Sequence, residues 1–368
     1  MLSFFILIAA CSANTANSSE TATPTTTATV YVAPTQYTLR ATMTPTPTIT
    51  PTPTDIPVIP TNTPVPSPTP SLTFNDFESI GHLYSDMRDY GQINEYQLSY
   101  DYWLEVDRRI AMYGEAKRLL VMEYHGDSYS MFEDKYALTP ESFVSQMTYL
   151  LENEYHFVTV LELQGFVEGW LKLPARSVVL TTDSGSTSQV SIPRMITAFQ
   201  KLESIYGSRP QMISFIWTYN MDKDEADNCA EDACWQTFLT AKNSGYFTFG
   251  SHTESHQDFS TFTTSQTMYD LKANRLEIQK NLGLTVFAIA WPFEACSPYT
   301  DLLAENGWTL AFGGYSRLMS QLYTYVNDPL SLCLPRLFPP NPDGISSRPA
   351  GLTLPQMLEE MQKDVPLK

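Results

Sequence analysis

The sequence has little positive charge and no long hydrophobic run. Its 368 residues contain 22 Lys and Arg against 40 Asp and Glu, which gives a formal net charge of -18. Such an acidic chain disfavours nucleic acids and anionic membrane surfaces as partners. The apolar run at residues 1–10, MLSFFILIAA, is too short to span a bilayer and is therefore typical of a signal peptide rather than of a transmembrane helix. It departs from the signal-peptide pattern in one respect, since no Lys or Arg precedes it.

Cysteine is also scarce, with five residues in the whole chain. Apart from Cys11, an even number remains, and in an exported domain this predicts disulfides. Four cysteines allow three pairings. We favour Cys229–Cys234, which closes a short loop, and Cys296–Cys333, which closes a long one. A zinc knuckle is the alternative, but the spacing matches no standard cysteine zinc pattern well.

Histidine is limited to five positions, and none follows His256. His252 and His256 lie four residues apart in SHTESH, directly after a predicted strand. Both imidazoles can therefore be aimed at one metal ion, since neutral imidazole binds zinc and similar ions well. Two surface histidines on a loop would give the same spacing, so the pair alone does not decide between these interpretations.

The chain divides into four segments of different composition. Residues 1–11 end in IAAC, which resembles the lipobox of bacterial lipoproteins and predicts acylation of Cys11; a plain signal peptide with an incidental cysteine is the alternative. Residues 12–73 are rich in Thr and Pro and predict a disordered, extended tether. We expect a helical extension at 74–118 and one folded domain at 119–368. A lipid anchor would hold this exported protein at the cell surface or in the periplasm.

Strands alternate with helical segments through the folded domain. The predicted strands are RLLVMEYH, HFVTV, SVVLTTD, QMISFIW, YFTFGSH, LTVFAIAWPF and WTLAFGG. This alternation predicts βα units and a parallel sheet, and seven strands favour a closed or nearly closed barrel. Polar residues such as His125, Asp183 and His252 stand at the carboxyl ends of different strands, where they would meet at one mouth of the barrel.

Three motifs connect these strand ends to a known family. TTDSG at 181–185, SHTESH at 251–256 and AWPF at 290–293 resemble the polysaccharide deacetylase family, also called the NodB-homology domain or carbohydrate esterase family four. The upstream VMEYHG is similar to the branch that contains extracellular poly-N-acetylglucosamine deacetylases. The resemblance covers about residues 119–315. It implies a distorted (β/α) barrel of about seven parallel strands.

The resemblance also implies roles for individual residues. Asp183 takes the place of the general base, and His252 and His256 take the place of the histidines that bind the divalent metal. Zinc is the expected ion, with cobalt or nickel as alternatives. Most of the family has the histidine that protonates the leaving amine in a C-terminal motif, but no histidine follows His256. In the extracellular branch an early Tyr-His pair supplies it, so the resemblance implies this role for His125.

Substrate contacts are expected from aromatic residues near these groups. Trp291 and Phe293 in AWPF would form a wall on which a sugar ring can stack, although a Trp–Pro turn in the core is the alternative. Tyr124, beside His125, is assigned to the same contacts. Arg336, in LCLPRLF, is expected to reach the mouth as a partner for the carboxylate of Asp183.

The sequence departs from the family pattern at two positions. Ser184 stands where the family has its second Asp, the third protein ligand of the metal, so the resemblance assigns Ser184 to the metal site, although a neutral hydroxyl is a poor zinc ligand. Glu294 stands where the family has Gly. Two hypotheses follow: Glu294 replaces the lost carboxylate from the opposite wall, or Asp183 itself becomes a ligand.

These residues predict a metal-dependent hydrolase that removes acetyl groups from an acetylated polysaccharide, most simply an N-acetylglucosamine-type polymer. The alternative is a catalytically impaired relative that binds glycan at the cell surface. Retention of Asp183, His125, His252 and His256 favours the enzyme, whereas Ser184 and the missing C-terminal histidine favour the binding module. The sequence gives no signal for oligomerisation.

Overall fold

A computed structural model describes residues 71–125, 138–185, 188–219, 233–314, 323–340 and 351–363. Residues Ser67–Lys368 form one compact unit. Cys11, Cys229 and the predicted Thr/Pro-rich tether up to residue 70 lie outside the described residues. Within the described part of the chain, no helix is long and apolar enough to cross a membrane.

Helices and strands alternate over most of this unit. The helices are α1 Phe77–Asp89, α2 Tyr100–Tyr113, α3 Pro140–Glu152, α4 Val160–Glu168, α5 Ser188–Tyr206, α6 Ala233–Ser244, α7 Thr264–Leu282, α8 Thr300–Glu305 and α9 Leu354–Gln362. The strands are β1 Arg118–His125, β2 His156–Phe157, β3 Ser177–Ser184, β4 Met212–Ile216, β5 Phe247–Ser251, β6 Ala288–Ala290, β7 Leu310–Gly314, β8 Thr324–Tyr325 and β9 Leu334–Arg336.

Seven parallel strands form a nearly closed barrel, as predicted. Their order is β1, β3, β4, β5, β6, β7 and β9. A parallel bridge between Met122 and Leu337 brings β9 back beside β1. The short strand β8 pairs antiparallel with β1, and β2 pairs with β3.

The identity of one barrel strand differs from the prediction. HFVTV is a strand only at His156 and Phe157, because Thr159 caps α4 through a capping box with Glu162. The seventh barrel strand is instead β9, whose three residues are Leu-Pro-Arg. A segment this short, with a proline at its centre, carries no period-2 signal, so sequence patterning missed it.

Alternate strand residues face either the barrel interior or the surrounding helices. The interior cluster includes Val121 of β1, Val179 of β3 and Leu334 of β9. The outer cluster includes their neighbours Met122 and Leu180. This parity fixes the direction of every side chain further along each strand, including those at the mouth.

The N-terminal helices belong to the barrel. Residues of α1, α2 and α4 share the interior hydrophobic cluster with the barrel strands. Gln92, which follows α1, donates from Nε2 to the carbonyl of Phe249 at 2.9 Å and accepts from its N–H at 2.8 Å. The N–H of Thr285 donates to the carbonyl of Tyr90 at 2.8 Å. The helical extension therefore packs on β5 and on the segment that precedes β6, as part of the same core.

Candidate functional site

Five polar side chains meet at the carboxyl end of the barrel. Glu123 and His125 extend the interior-facing series of β1, Asp183 that of β3 and Arg336 that of β9. His252 follows β5 directly and contacts Asp183. The parallel register sets His125 opposite Asp183. Residues distant in sequence therefore form one cluster because their strands end at the same level.

Asp183 is held by the guanidinium of Arg336. Nη1 of Arg336 donates to Oδ1 of Asp183 at 2.6 Å, and Nη2 donates to Oδ2 at 3.0 Å. Burial by itself would raise the pKa of Asp183, but the charge and hydrogen bonds of Arg336 outweigh it and lower that pKa. The carboxylate is therefore ionised at neutral pH, as a general base must be. Arg336 thus has the partner that the sequence predicted.

Glu123 is a second interior carboxylate, and sequence reasoning missed it. Its Oε1 accepts from Nη2 of Arg336 at 3.0 Å and lies 3.7 Å from Nε2 of His125. Burial raises the pKa of Glu123 to about 7, despite the nearby charge of Arg336. The sequence signal was a single carboxylate within the apolar strand RLLVMEYH, two residues before His125 and so on the same face of the strand.

His252 presents one ring nitrogen to Asp183. Nδ1 of His252 donates to the carbonyl of Ala290 at 2.8 Å, which leaves the lone pair on Nε2, 3.6 Å from Oδ2 of Asp183. Histidines that bind metals commonly donate their second N–H to a backbone carbonyl in this way. Burial lowers the pKa of His252 to about 4, so the ring is neutral near pH 7 and its lone pair is available.

His256 lies beside His252 on a loop held by α7. The two imidazole centroids are 4.9 Å apart, and the ring of Trp217 lies 4.8 Å from His256. Asp270 of α7 accepts from the backbone N–H groups of Glu254 and Ser255 at 2.7 and 2.9 Å. Burial lowers the pKa of His256 as well. The structure therefore brings the predicted histidine pair together with Asp183.

Ser184 does not face this cluster. It follows Asp183 on β3, so its side chain lies on the opposite, helix-facing side of the sheet. Its Oγ accepts from the hydroxyl of Ser214 at 3.0 Å, and the residue is buried. The predicted position of Ser184 as a metal ligand is therefore corrected: the hydroxyl is engaged away from His252 and His256.

The aromatic residues assigned to substrate separate into two groups. Trp291 is 0% exposed and packs against Phe259, and buried Tyr124 donates its hydroxyl to Gln146 at 2.8 Å. Neither offers a free face to a sugar, so both assignments are corrected: Tyr124 belongs to the outward series of β1, and Trp291 takes the alternative role of a core residue. Phe293 is 64% exposed, and its ring lies 5.1 Å from that of His256.

The donors at the mouth fit a divalent cation. Neutral His252 and His256 would hold it, together with a carboxylate oxygen of Asp183, which is the second of the two hypotheses drawn from the sequence. One donor atom from each of Glu123, His125 and Asp183 also lies within 4.8 Å of the others, so a second set exists in the described residues. Glu294 is half-buried beside the mouth and is not part of that set. Its compensating role stays a prediction.

A disulfide connects two segments that carry site residues. Cys296 and Cys333 are bonded, with their Cα atoms 5.8 Å apart, as predicted. Cys296 lies three residues after Phe293, and Cys333 three residues before Arg336. Cys234 is also disulfide-bonded, but its predicted partner Cys229 lies outside the described residues.

Replacing Gly313 should disturb this disulfide. A Cβ at Gly313 of β7 would collide with Sγ of Cys296 and lie 3.2 Å from Sγ of Cys333. We expect Gly313→Ala to lower the free energy of unfolding by about 1–3 kcal/mol because of overpacking. Gly81→Ala on α1, where nothing lies within 4 Å, is the matched control and should be neutral or stabilising. Equal urea midpoints for the two variants would contradict this packing account.

The barrel and its cluster lie in a part of the chain that resembles a known family. Residues 171–311 match the sequence model of the family named polysaccharide deacetylase. That range includes Asp183, His252 and His256. This part of the chain is therefore similar in sequence to a polysaccharide deacetylase domain. No curated protein sequence is significantly similar to the chain.

Solved structures with this fold are similar to the chain over about two thirds of its length. IcaB from Ammonifex degensii aligns with a TM-score of 0.52 and 20% identity, over 68% of this chain and 99% of its own. A polysaccharide deacetylase from Bacillus cereus aligns with a TM-score of 0.51 and 19% identity, over 68% of this chain and 70% of its own. The Streptococcus pyogenes deacetylase PplD, in complex with acetate, aligns with a TM-score of 0.50 and 16% identity, over 68% of this chain and 98% of its own. At these identities the likeness concerns the fold.

Proposed function

We propose that this protein is a metal-dependent hydrolase that removes acetyl groups from an acetylated polysaccharide. The observation that carries the proposal is the placement of Asp183. Its ionised carboxylate is fixed by Arg336 and lies 3.6 Å from Nε2 of His252 at the open end of the barrel. The match of residues 171–311 to the polysaccharide deacetylase family supports the same reaction class.

Different side chains at the mouth have different roles in the proposed amide hydrolysis. Asp183 accepts a proton from the attacking water as the oxygen of that water bonds to the acetyl carbon. His252 and His256 would hold a divalent cation, zinc in the first instance, whose chemistry there would be polarisation of the acetyl carbonyl. His125, on the neighbouring strand, donates a proton to the nitrogen as the carbon–nitrogen bond breaks. Acetate and a free amine on the sugar are the products.

The substrate is proposed to be an N-acetylglucosamine-type polymer of the cell envelope or the extracellular matrix. Support comes from the similarity of VMEYHG and its following helix to the poly-N-acetylglucosamine deacetylase branch. Acetate bound to the structurally similar PplD fits an acetyl-releasing reaction. After export, acylation of Cys11 would anchor such an enzyme to a membrane. The Thr/Pro-rich tether would then let the folded domain reach this polymer.

Phe293 should contribute to substrate binding more than to catalysis. Its exposed ring stands beside His256 on a backbone with φ of 55°. We expect Phe293→Ala to raise KM by about 5-fold, since stacking against a sugar ring contributes on the order of 1 kcal/mol, while kcat changes little. Steady-state kinetics on an acetylated oligosaccharide measure both constants. A fall in kcat at constant KM would show that Phe293 acts in the chemical step instead.

A glycan-binding module without activity is the second candidate. The specific observation in its favour is Ser184, whose hydroxyl is bonded to Ser214 and leaves the cluster one carboxylate short of the family pattern. Acetate release from an N-acetylated oligosaccharide, with and without added Zn²⁺, Co²⁺ or Ni²⁺, separates the two. If the protein binds the oligosaccharide but releases no acetate with any of these metals, it is a glycan-binding module.

A further inference from the structure

Of the five polar side chains that meet at the mouth, Glu123 has no part in the proposed reaction. It is 4% exposed, on the interior face of β1 directly above Val121. Its Oε2 is buried and has no hydrogen-bond partner among the described residues. A buried carboxylate with an unsatisfied oxygen lowers stability relative to an apolar residue of similar volume. The cost points to a role in the site rather than in packing.

The contacts of Arg336 indicate what that role is. Hydrogen bonds from its guanidinium, within the described residues, go to Asp183 and Glu123. Its Nε is buried and has no acceptor in the same part of the chain. The orientation of the guanidinium plane therefore depends on its two Nη atoms. One carboxylate holds both Nη atoms, and the second holds Nη2 from an adjacent strand.

A guanidinium that is hydrogen-bonded to a single carboxylate can still tilt about the axis of that ion pair. Asp183 and Glu123 stand on neighbouring strands, in a register that pairs Glu123 with Thr181 and His125 with Asp183. They therefore approach Arg336 from different directions. A hydrogen bond of 3.0 Å from Nη2 to Glu123 removes the remaining freedom, since Nη2 then serves both carboxylates.

We infer that Glu123 is a positioning residue: it fixes the guanidinium of Arg336, and through it the carboxylate of Asp183, in line with His125. The kinetic consequence rests on the proposed function, whereas the positioning of Arg336 does not. The competing role is metal ligation, because Glu123, His125 and Asp183 each place a donor atom within 4.8 Å of the others. The two roles differ in what Glu123→Gln removes, since the amide oxygen can still accept from Nη2 but is a poor substitute for a carboxylate ligand.

The test compares wild type, Glu123→Gln and Glu123→Met by NMR of the arginine side chains. Rotation about the Cζ–Nε bond of Arg336 should be slow in wild type and in Glu123→Gln. It should become at least about 10-fold faster in Glu123→Met, which has no acceptor. In the active enzyme, kcat of Glu123→Met should fall by about 10- to 100-fold with KM within about twofold, and Glu123→Gln should recover most of the loss.

The matched control is Glu162→Gln. Glu162 is also buried and paired with a histidine, His156, at 3.1 Å, but it lies at the start of α4 and not at the mouth. It should leave both the rotation of Arg336 and kcat unchanged. Metal affinity, measured by titration calorimetry, should be equal in wild type and both Glu123 variants.

Two results would overturn the inference. Unchanged rotation of Arg336 in Glu123→Met would show that Asp183 alone orients the guanidinium. A loss of metal affinity in both Glu123 variants would assign Glu123 as a ligand. Because rotation and metal affinity are measured without turnover, they decide the inference even if the wild-type protein releases no acetate, an outcome that would count against the proposed function alone.

Discussion

Asp183→Asn should reduce kcat for acetate release by on the order of 10²- to 10⁴-fold. The amide keeps the shape of the carboxylate but cannot accept a proton at neutral pH, and it is also a poorer ligand for a divalent cation. The wild-type carboxylate is ionised because Arg336 lowers its pKa against the effect of burial. The measurement is steady-state acetate release, with the thermal midpoint recorded to confirm that the variant is folded.

Ser184→Ala is the matched control for this substitution. Ser184 is the next residue on β3, but it faces the helices and accepts a hydrogen bond from Ser214. We expect it to lower stability by about 1 kcal/mol and to leave kcat within about twofold of wild type. Equal losses of kcat in both variants would mean that Ser184 reaches the reacting atoms, which the strand parity does not allow.

Arg336→Met should be among the most destabilising single substitutions in the barrel. It leaves the carboxylates of Asp183 and Glu123 buried without their cation, and breaking a buried pair in this way costs about 3–5 kcal/mol. Urea-induced unfolding at neutral pH measures the loss. Arg336→Met should lower the free energy of unfolding less when it is introduced into Asp183→Asn, because the buried carboxylate of residue 183 is then already absent.

A surface ion pair provides the control for Arg336→Met. Arg108 contacts Glu105 at 2.6 Å, but both side chains are 41% exposed. Arg108→Met should cost no more than about 1 kcal/mol, since exposed pairs are screened by solvent. If the two arginine variants unfold at the same urea concentration, the buried network contributes no more than a surface pair.

The sequence predicted the architecture because the barrel strands carry clear patterns. RLLVMEYH, SVVLTTD and YFTFGSH are apolar runs between capped helices, and each forms a barrel strand. The polar residue at the end of each run then falls at the mouth, which is why His125, Asp183 and His252 were found without coordinates. Arg336 was predicted as a partner of Asp183, although its own strand, β9, was not.

The errors come from side-chain direction rather than from the choice of strands. Tyr124 was assigned to the site beside His125, and Ser184 because it takes the place of the family's second Asp, yet neighbours on a strand face opposite sides of the sheet. The same parity would have placed Glu123 with His125 and Asp183. Trp291 lies just after β6, where the strand has ended, so parity gives no direction for its ring. Only packing against Phe259 shows that it belongs to the core.

Acetate release by the wild-type protein tests most directly whether the barrel mouth removes acetyl groups by hydrolysis. The purified protein is incubated with an N-acetylglucosamine oligomer after removal of metals and again after addition of Zn²⁺, Co²⁺ or Ni²⁺. We predict that acetate and free amine appear in equal amounts, depend on added metal and disappear in Asp183→Asn. Folded protein that binds the oligomer but releases no acetate with any of these metals would contradict the proposed function.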